Sequence, residues 1–363
     1  MYCHRDCRKF VWCLCFECLQ GRIFICHHCR GSDVPADWAF QRKTGEESMS
    51  NRVEHPWRYA VILAALLLLP VLVGPYSHFL LATVLIYFLV AQSLGILVGI
   101  GGQISIGHAG FWALGAYGSA LVVTKLGAPF VVGVLFGGMI AAIFGAIVAL
   151  PALRVQGHYL AIATLAFALF IQQVLFEWES LSGGREGLLV PRPEIGGITL
   201  DSDFSYYYLL LPIVIFFAWM TENFRKSHTG RSLMALKMSA IAGESAGINR
   251  SRQIIVVFAL SAFYTGVSGA LYGHLIGHLS TDSFSLTVSL AFLTMAVIGG
   301  LGSYAGAALG AIYLTLAPEL LREFKGAQMV IYGVTVILCI RFFPDGLVSL
   351  PLRLKNLVRR GRE

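Results

Sequence analysis

A succession of long apolar segments constrains this chain more than any other feature of its sequence. A membrane-spanning helix needs about 20 predominantly apolar residues, within a range of about 17–25. Hydrophobic residues make up 56% of the chain and charged residues 13%, whereas soluble domains carry about 25% charged residues. The sequence therefore predicts an all-α, polytopic transmembrane helical bundle. The candidate spans lie near residues 59–74, 78–99, 104–124, 129–150, 159–176, 206–221, 253–278, 287–301, 304–321 and 327–343.

Three of the candidate spans are short or interrupted by glycine or proline, namely 59–74, 206–221 and 287–301. Each is consistent with a full span or with a partial, re-entrant one, so we expect about eight to ten spans. Chain length does not divide a membrane bundle into domains in the way it divides a soluble protein. We therefore expect residues 49–350 to form one transmembrane domain.

Basic residues concentrate in two polar segments. Residues 222–252 carry six Lys or Arg against two acids, and residues 351–363 carry five more Lys or Arg. Cytoplasmic segments are enriched in Lys and Arg, so both segments and both termini are predicted to be cytoplasmic. Residues 177–205 hold six acids against two arginines, which fits a periplasmic loop. Because the net charge of +7 comes from segment ends, it does not indicate a nucleic-acid partner.

The first 48 residues differ in composition from the rest of the chain. They hold seven of the eight cysteines, and two C-x-x-C pairs occur there, in "CFEC" and "CHHC". Such pairs can bind zinc, but the spacing between them is short for a zinc ribbon. We expect residues 1–48 to be a mis-called extension upstream of Met49 or a disordered stub, while a metal-binding stub stays open as an alternative.

Motifs of an enzyme or an ATPase are absent from the sequence. It contains neither a G-x-x-x-x-G-K-[ST] phosphate loop nor an H-E-x-x-H or G-x-S-x-G motif, so we predict no catalytic residue, no metal and no cofactor. His274 and His278 are four residues apart on one predicted helix, and we interpret them as interfacial histidines near its outer end. The predicted spans lack a convincing mid-membrane charge, which disfavours a proton- or sodium-coupled carrier.

Two polar motifs interrupt the apolar pattern, "GIGGQISIGHAGFWALGAY" at 99–117 and "RVQGHYLAIATLAF" at 154–167. Glycines at the end of a span permit a bend or a break, and the backbone groups that it frees can line a cavity. The alternative is an ordinary turn between two helices. The residues that we predict for a translocation pathway or gate are Gln103, Ser105, His108, Tyr117, Tyr159 and Thr164.

Small residues recur in a second double-glycine motif, "GGLGSYAGAALGAIY" at 299–313, which is similar to 101–117. Transporters are often built from internal repeats with broken helices at corresponding positions, although small-residue packing alone produces similar motifs. A packing or hinge role is predicted for ten glycines: Gly101, Gly102, Gly157, Gly183, Gly184, Gly299, Gly300, Gly302, Gly306 and Gly310.

The predicted cytoplasmic segment contains an Ala-rich stretch, "GRSLMALKMSAIAGESAGIN", at 230–249. On a helical wheel of residues 231–246, four small side chains form one stripe, at Ala235, Ser239, Ala242 and Ala246. Bulky apolar residues occupy much of the remaining circumference. We interpret this stretch as a helix sandwiched between its own bundle and a partner, the alternative being a helix that packs on its own protein alone.

These motifs, with "SLSGGREGL", "AVIGGLGSYAGAALGA" and "FFPDGL", resemble the M-type permease subunits of bacterial ABC importers for branched-chain amino acids over residues 57–350. The resemblance implies a permease of the ABC importer type in the bacterial inner membrane. Its implied partners are an H-type permease, two cytoplasmic ATP-binding subunits and a periplasmic solute-binding protein. Similar permeases serve urea, short amides or other small organic solutes, and an ATP-independent channel is a further alternative.

The resemblance also implies a role for the Ala-rich stretch. It corresponds to the cytoplasmic coupling loop of the family, which docks on an ATPase. The residues implied in ATPase coupling are Gly230, Arg231, Ala235, Ser239, Ala242, Glu244, Ala246 and Gly247.

Overall fold

A computed structural model describes residues 56–320 apart from 156, 185, 196–197, 200–201 and 301, together with residue 333. The Cys-rich segment 1–48, the basic tail 351–363 and the predicted span 327–343, except residue 333, lie outside the described residues.

Helices dominate the described part of the chain. The long helices are α1 (Pro56–Leu72), α2 (Pro75–Leu94), α3 (His108–Leu126), α4 (Phe130–Ala152), α5 (His158–Glu177), α7 (Asp203–Lys226), α10 (Arg250–Ile276), α11 (Leu286–Gly299) and α12 (Tyr304–Leu320). The short elements are a π-helical turn at Gly95–Ile100, a 3₁₀ turn at Thr281–Phe284, and the helices α6 (Glu179–Ser182), α8 (His228–Met238) and α9 (Ala240–Ser245).

Two-residue strands occur in the segments between the long helices. Strand β1 (Leu188–Leu189) pairs antiparallel with β4 (His278–Leu279), and β2 (Glu194–Ile195) pairs antiparallel with β3 (Ile198–Thr199). The first pair ties the segment before α7 to the end of α10. This pairing satisfies backbone groups of an otherwise irregular segment.

The prediction of an all-α membrane bundle is confirmed. Among the described residues, five helical segments are long and apolar enough to cross a membrane: Pro75–Ile100, Phe130–Ala152, His158–Glu177, Asp203–Lys226 and Arg250–Ile276. The segment predicted near 206–221 forms a helix of 24 residues, so it is not a partial span. By contrast α11 has only 14 residues, as its short apolar segment led us to expect.

Helix α10 packs against α2, α3 and α4, and its contacts with α3 and α4 depend on glycines. A Cβ atom placed on Gly115 of α3 would lie 2.0 Å from the carbonyl oxygen of Gly266, and one on Gly269 would lie 2.0 Å from that of Trp112. Neither position can therefore hold a side chain without separating the helices. In lipid, where apolar side chains gain little by leaving the solvent, such close backbone contact drives helix association.

Buried hydroxyl groups add hydrogen bonds between α2 and α10. Ser261 Oγ donates to Ser93 O at 3.0 Å, and Thr265 Oγ1 donates to Ser93 Oγ at 2.8 Å. Ser268 Oγ donates to Ile86 O at 2.9 Å. These bonds hold the two helices in one register, because an unpaired hydroxyl is costly in an apolar interior.

His274 and His278 do not share a helix, contrary to the sequence prediction. Helix α10 ends at Ile276, where Gly277 takes a φ of 75° and caps the helix, and His278 lies in β4. His274 lies in the last turn of α10 and is 1% exposed. Its Nδ1 donates to Pro191 O at 3.0 Å and its Nε2 accepts from Ser119 Oγ at 3.1 Å, so it joins α10, α3 and the segment before α7.

Because α3 packs closely on α10, adding one methyl group at their interface should strongly reduce the stability of the protein. The substitution Gly115→Ala should destabilise the protein by about 1–3 kcal/mol, because the methyl group overpacks a backbone-to-backbone contact. Thermal unfolding of the purified protein in detergent measures the effect. The matched control is Gly74→Ala, where a Cβ meets nothing within 4 Å, and which should cost less than about 1 kcal/mol. Equal melting temperatures for the two variants would contradict the predicted packing.

Candidate functional site

The chain leaves helical geometry between α2 and α3. The π-helical turn Gly95–Ile100 ends α2, and residues 101–107 form no regular helix. Gly102 has a φ of 66°, a conformation that glycine adopts without a steric penalty. The backbone is therefore irregular at these glycines, while their role as a hinge rather than an ordinary turn between two helices stays a prediction. We call residues 95–107 the first break.

Three of the predicted pathway residues meet at the first break. Thr164 Oγ1 on α5 accepts from the backbone N of Ile106 at 3.0 Å. Ser105 Oγ lies 3.3 Å from His108 Nδ1. All three side chains, those of Ser105, His108 and Thr164, are at most 1% exposed, so they hold the break in place rather than line an open passage.

The hydrogen-bond partners of His108 indicate which of its two ring nitrogens donates and which accepts. Ser261 Oγ donates to Ser93 O, so at 3.1 Å it accepts from His108 Nε2. The Nδ1 atom of His108 is then left to accept from Ser105 Oγ. This assignment follows from the network, and it makes the histidine neutral. Ser261 is the partner that our sequence reasoning missed, since a serine on a helix carries no sign of a contact 153 residues away.

The remaining predicted pathway residues do not join this cluster. Gln103 is half-buried, and its Nε2 donates to Gly101 O at 3.3 Å. Tyr117 is buried beside Leu279, to whose carbonyl it donates, and Tyr159 is 73% exposed. A pathway role for these three residues stays a prediction.

A second break separates α11 from α12. Gly300 and Gly302 have φ values of 101° and 90°, and we call residues 300, 302 and 303 the second break. The two breaks lie against one another, since a Cβ on Gly302 would be 4.0 Å from Gly99 Cα. The two similar double-glycine motifs thus come together in the structure, while their origin as an internal repeat stays a prediction.

The other predicted glycines are distributed between packing and turns. A Cβ on Gly299 would lie 2.1 Å from Gly306 O, and one on Gly310 would lie 2.3 Å from Met295 O, so these three glycines pack α11 against α12. The predicted glycines at 157, 183 and 184 all have positive φ and lie at turns next to α5 and α6.

A cavity lies beside the two breaks. Its polar lining comes from Gln92 on α2, Thr221 and Arg225 on α7, and Ser303 and Tyr304 at the start of α12. Gln92 belongs to the few amides in the predicted spans, yet the sequence offered no reason to choose it over Gln172 or Gln173. Only the packing of α2 against α7 and α12 brings these side chains together.

The predicted helix over 231–246 is wrong as a single element. Helix α8 ends at Met238, and Ser239 takes an extended conformation with a φ of −156°. Its Oγ accepts from Ala242 N at 3.3 Å and so caps a separate helix, α9. Serine stops helices in this way because its side chain competes for backbone amides. The stripe that joined Ala235 to Ala246 on the helical wheel is therefore interrupted.

The surface of α8 and α9 is nevertheless apolar. The four small residues of the predicted stripe are exposed, and beside them Met238 is 89% and Ile241 68% exposed. Leu233, which is 2% exposed, packs on its own chain, while burial of Met238 and Ile241 against a partner stays a prediction. We call the surface formed by Ala235, Met238, Ile241, Ala242 and Ala246 the α8–α9 surface.

The other residues implied in coupling differ in how they contact their own chain. A Cβ on Gly230 would lie 2.2 Å from Phe224 O, so Gly230 fixes the close approach of α8 to α7. Gly247 has a φ of 83° and ends α9. Glu244 forms an ion pair with Arg250 at 3.8 Å, and Arg231 is exposed.

Lys237 links α8 to the first break. Its Nζ donates to Gly99 O at 2.6 Å and to Val98 O at 3.5 Å. Its Cγ would lie 2.9 Å from a Cβ on Gly102. Partial desolvation of the amine lowers the pKa of Lys237, but the ammonium still binds Gly99 O at 2.6 Å, whereas Val98 O also accepts from Gly102 N at 3.2 Å. Our sequence reasoning passed over this residue in favour of the small-residue stripe.

Comparison with known sequences covers this whole region. The model of a family described as "Branched-chain amino acid transport system / permease component" matches residues 77–340. The chain belongs to this family. The matched residues include both breaks, the cavity and the α8–α9 surface, so these features are parts of a multi-pass membrane permease.

Curated relatives of two kinds are similar to this permease. The "High-affinity branched-chain amino acid transport system permease protein LivM" of Escherichia coli (strain K12) is 29% identical over 306 residues, which cover 77% of this chain and 72% of that protein. LivH of the same strain is 26% identical over 294 residues, which cover 73% of this chain and 92% of that protein.

Among solved structures, "PsaBC from Streptococcus pneumoniae in complex with Fab" covers 76% of this permease and 94% of its own chain at 15% identity. The TM-score is 0.41, which is too low to support a structural argument.

The bond from Ile106 to Thr164 predicts how firmly the first break is held. The substitution Thr164→Val keeps the shape of the side chain but leaves the Ile106 N–H unpaired, so it should cost about 1–3 kcal/mol. Thermal unfolding of the detergent-solubilised protein measures this cost. The matched control is Thr315→Val, because Thr315 Oγ1 donates only to Ala311 O in its own helix. A melting temperature as high for Thr164→Val as for Thr315→Val would show that Thr164 does not hold the break.

Proposed function

We propose that this chain is the permease subunit of an ATP-driven importer that carries branched-chain amino acids across the bacterial inner membrane. The observation that carries the proposal is its membership of the branched-chain amino acid permease family over residues 77–340. The named function of the LivM relatives supports the choice of leucine, isoleucine and valine as solutes.

The proposed assembly contains two permease subunits, two ATP-binding subunits and a periplasmic solute-binding protein. Similarity to both LivM and LivH relatives supports a pair of permeases in which this chain is the M-type member. The sequence contains no phosphate-loop motif, so the energy of ATP hydrolysis has to enter from another subunit. The binding protein delivers the solute from the periplasm.

Both termini and residues 222–252 are cytoplasmic in this proposal, and residues 177–205 face the periplasm. The excess of Lys and Arg in 222–252 supports this orientation. It places α8 and α9 on the side of the membrane where ATP is available. The α8–α9 surface is then the contact for an ATP-binding subunit, since exposed apolar side chains clustered on a polar segment mark interaction sites.

Lys237 supplies the proposed route from the ATPase to the permeation pathway. It lies on α8, next to the docking surface, and its ammonium binds Gly99 O in the first break. A displacement of α8 therefore moves or releases the carbonyl end of α2. Because the second break lies against the first, the displacement of the carbonyl end of α2 also reaches α12. This step does not require a charged residue inside the membrane.

Reconstitution tests the proposed function. Proteoliposomes that contain this chain, an H-type permease and the ATP-binding subunits should take up leucine only when ATP and the solute-loaded binding protein are both present. Leucine flux through this chain alone, without ATP, would identify a facilitator instead. ATP-driven uptake of urea or a short amide but not of leucine would contradict the proposed solute.

A bulky residue on the α8–α9 surface should prevent docking. Ala242 is exposed, so the substitution Ala242→Trp leaves the fold intact but blocks close approach of an ATP-binding subunit. Co-purification should then fall by more than about tenfold, which corresponds to about 1.4 kcal/mol. The matched control is Thr287→Trp, at an exposed position in the first turn of α11. Normal co-purification of both Ala242→Trp and Ala246→Trp would contradict the assignment of this surface.

A further inference from the structure

The cavity beside the two breaks combines an apolar wall with a polar one. It is partly open to the surroundings. Ala91, Ala296 and Ala307 form the apolar wall, and the polar lining includes Gln92 and Arg225. A solute with an aliphatic side chain and one polar end matches such a lining.

Gln92 lines this cavity, and its buried amide nitrogen has no hydrogen-bond partner among the described residues. Its side chain is 3% exposed. The Oε1 atom accepts from Thr221 Oγ1 at 3.3 Å, whereas Nε2 has no partner among the described residues. A buried donor without a partner is unfavourable, because its lost hydrogen bond to water is not replaced. This cost is explained if Nε2 is a donor for a ligand that is bound transiently.

The first turn of α12 also contributes to the polar side of the cavity, through the positive electrostatic potential of a helix N-terminus. Ser303 and Tyr304 line the cavity at the first turn of this helix, where backbone N–H groups lack intrahelical partners. Ser303 Oγ accepts one of them, from Gly306 N at 2.9 Å. The helix dipole adds about half a positive charge at this end, so the first turn favours an anionic group.

Charged side chains lie next to the first turn of α12. Glu222 accepts from Arg225 Nη2 at 2.9 Å and from Tyr304 OH at 3.1 Å, and Lys226 Nζ lies 3.1 Å from the same carboxylate. The Lys226 side chain is 69% exposed, so it does not contribute to the cavity. Arg225 is the cation that lines the cavity with Gln92, and it is paired with Glu222.

We propose that this cavity binds the carboxylate of an aliphatic α-amino acid during translocation, with Gln92 Nε2 and the first turn of α12 as donors and the alanine wall against the side chain. The inference rests on the proposed function and assigns its solute-binding position. Broken helices of secondary transporters offer helix N-termini to anionic substrate groups in the same way. A water molecule bound to Gln92 is the competing occupant, because a polar cavity of sufficient size holds water.

Leucine uptake by the assembled importer tests the role of Gln92. The substitution Gln92→Leu removes the free donor, so the maximal rate of ATP-driven leucine uptake should fall about tenfold, since a hydrogen bond to a charged group contributes about 1.5–3 kcal/mol. The melting temperature should not fall, because the Thr221 hydroxyl, once released from Gln92, can donate to Phe217 O at 2.9 Å instead. The matched control is Gln173→Leu, since the Gln173 amide donates to Glu177 on an exposed face.

The outcomes of the uptake experiment separate the two proposals. No leucine uptake by the wild-type importer means that the proposed function is wrong. Normal wild-type uptake with equal rates for Gln92→Leu and Gln173→Leu overturns the binding position alone. A rate loss for Gln92→Leu accompanied by a lower melting temperature also overturns it, because Gln92 would then act through the fold.

Thiol labelling identifies the group that is bound. Ser303→Cys in an otherwise cysteine-free chain places one thiol at the cavity, and the assembled complex is treated with a small methanethiosulfonate reagent. Leucine should slow labelling at least about threefold at millimolar concentration, which is a weak affinity of about 4 kcal/mol. Leucinamide, which lacks the carboxylate, should not slow it, and Gln92→Leu should abolish the protection by leucine.

Two controls make the labelling result decisive. Ser283→Cys, a partly buried position in the 3₁₀ turn, should be labelled at the same rate with and without leucine. Equal protection of the Ser303→Cys thiol by leucine and by leucinamide overturns recognition of a carboxylate. Absence of protection by leucine means that water alone occupies the cavity and overturns the proposal.

Discussion

The arrangement of this permease depends on how backbone groups released by helix breaks are satisfied inside a membrane bundle. Lipid offers no hydrogen bonds, so irregular backbone is tolerated there only where protein groups or an enclosed cavity replace water. In the first break, Thr164 Oγ1 accepts the amide of Ile106 and Lys237 Nζ donates to the carbonyl of Gly99. One partner belongs to a transmembrane helix and the other to α8, so the two sides of the break are attached to different parts of the chain.

If the permease is driven by ATP-binding subunits, as we propose, this attachment connects them to the first break. Thr164 lies on α5, and His108 ties α3 to α10 through Ser261, so the transmembrane side of the break is held by buried bonds. Helix α8 contacts the carbonyl end of α2 through the ammonium group of Lys237. In the proposed mechanism, a movement of the α8–α9 surface acts on this weaker contact and leaves the buried network intact.

The cavity extends the same reasoning to the solute. Closely packed glycines let α11 and α12 approach one another, and the second break then exposes the first turn of α12 beside Gln92. The amide that lacks a partner and the helix N-terminus both favour a negatively charged group. In the proposed importer, where a binding protein selects the solute, weak and general recognition of an amino acid along the pathway is enough.

Much of the helical framework was predictable from the sequence. The predicted spans near 129–150 and 159–176 correspond to α4 and α5 within two residues at each end, because a long apolar run has few alternatives in lipid. The irregular backbone of the first break was predictable as well, from its glycines. Predictions failed where one side chain decides between local structures. Ser239 caps α9 and divides a stretch that the helical wheel treated as one helix, and the cap of Gly277 separates His274 from His278.

The sequence by itself determined that this chain is a bundle of membrane helices with glycine-rich breaks and a basic polar segment that contains an Ala-rich stretch. Apolar length, glycine content and the distribution of charge are properties of the sequence, so they can be determined without knowledge of the tertiary contacts. Only the tertiary structure decided that Ser261 is the partner of His108, that Lys237 binds the first break and that Gln92 faces a cavity. Each of these features depends on residues that are far apart in the sequence. Such long-range features leave no local signal in the sequence.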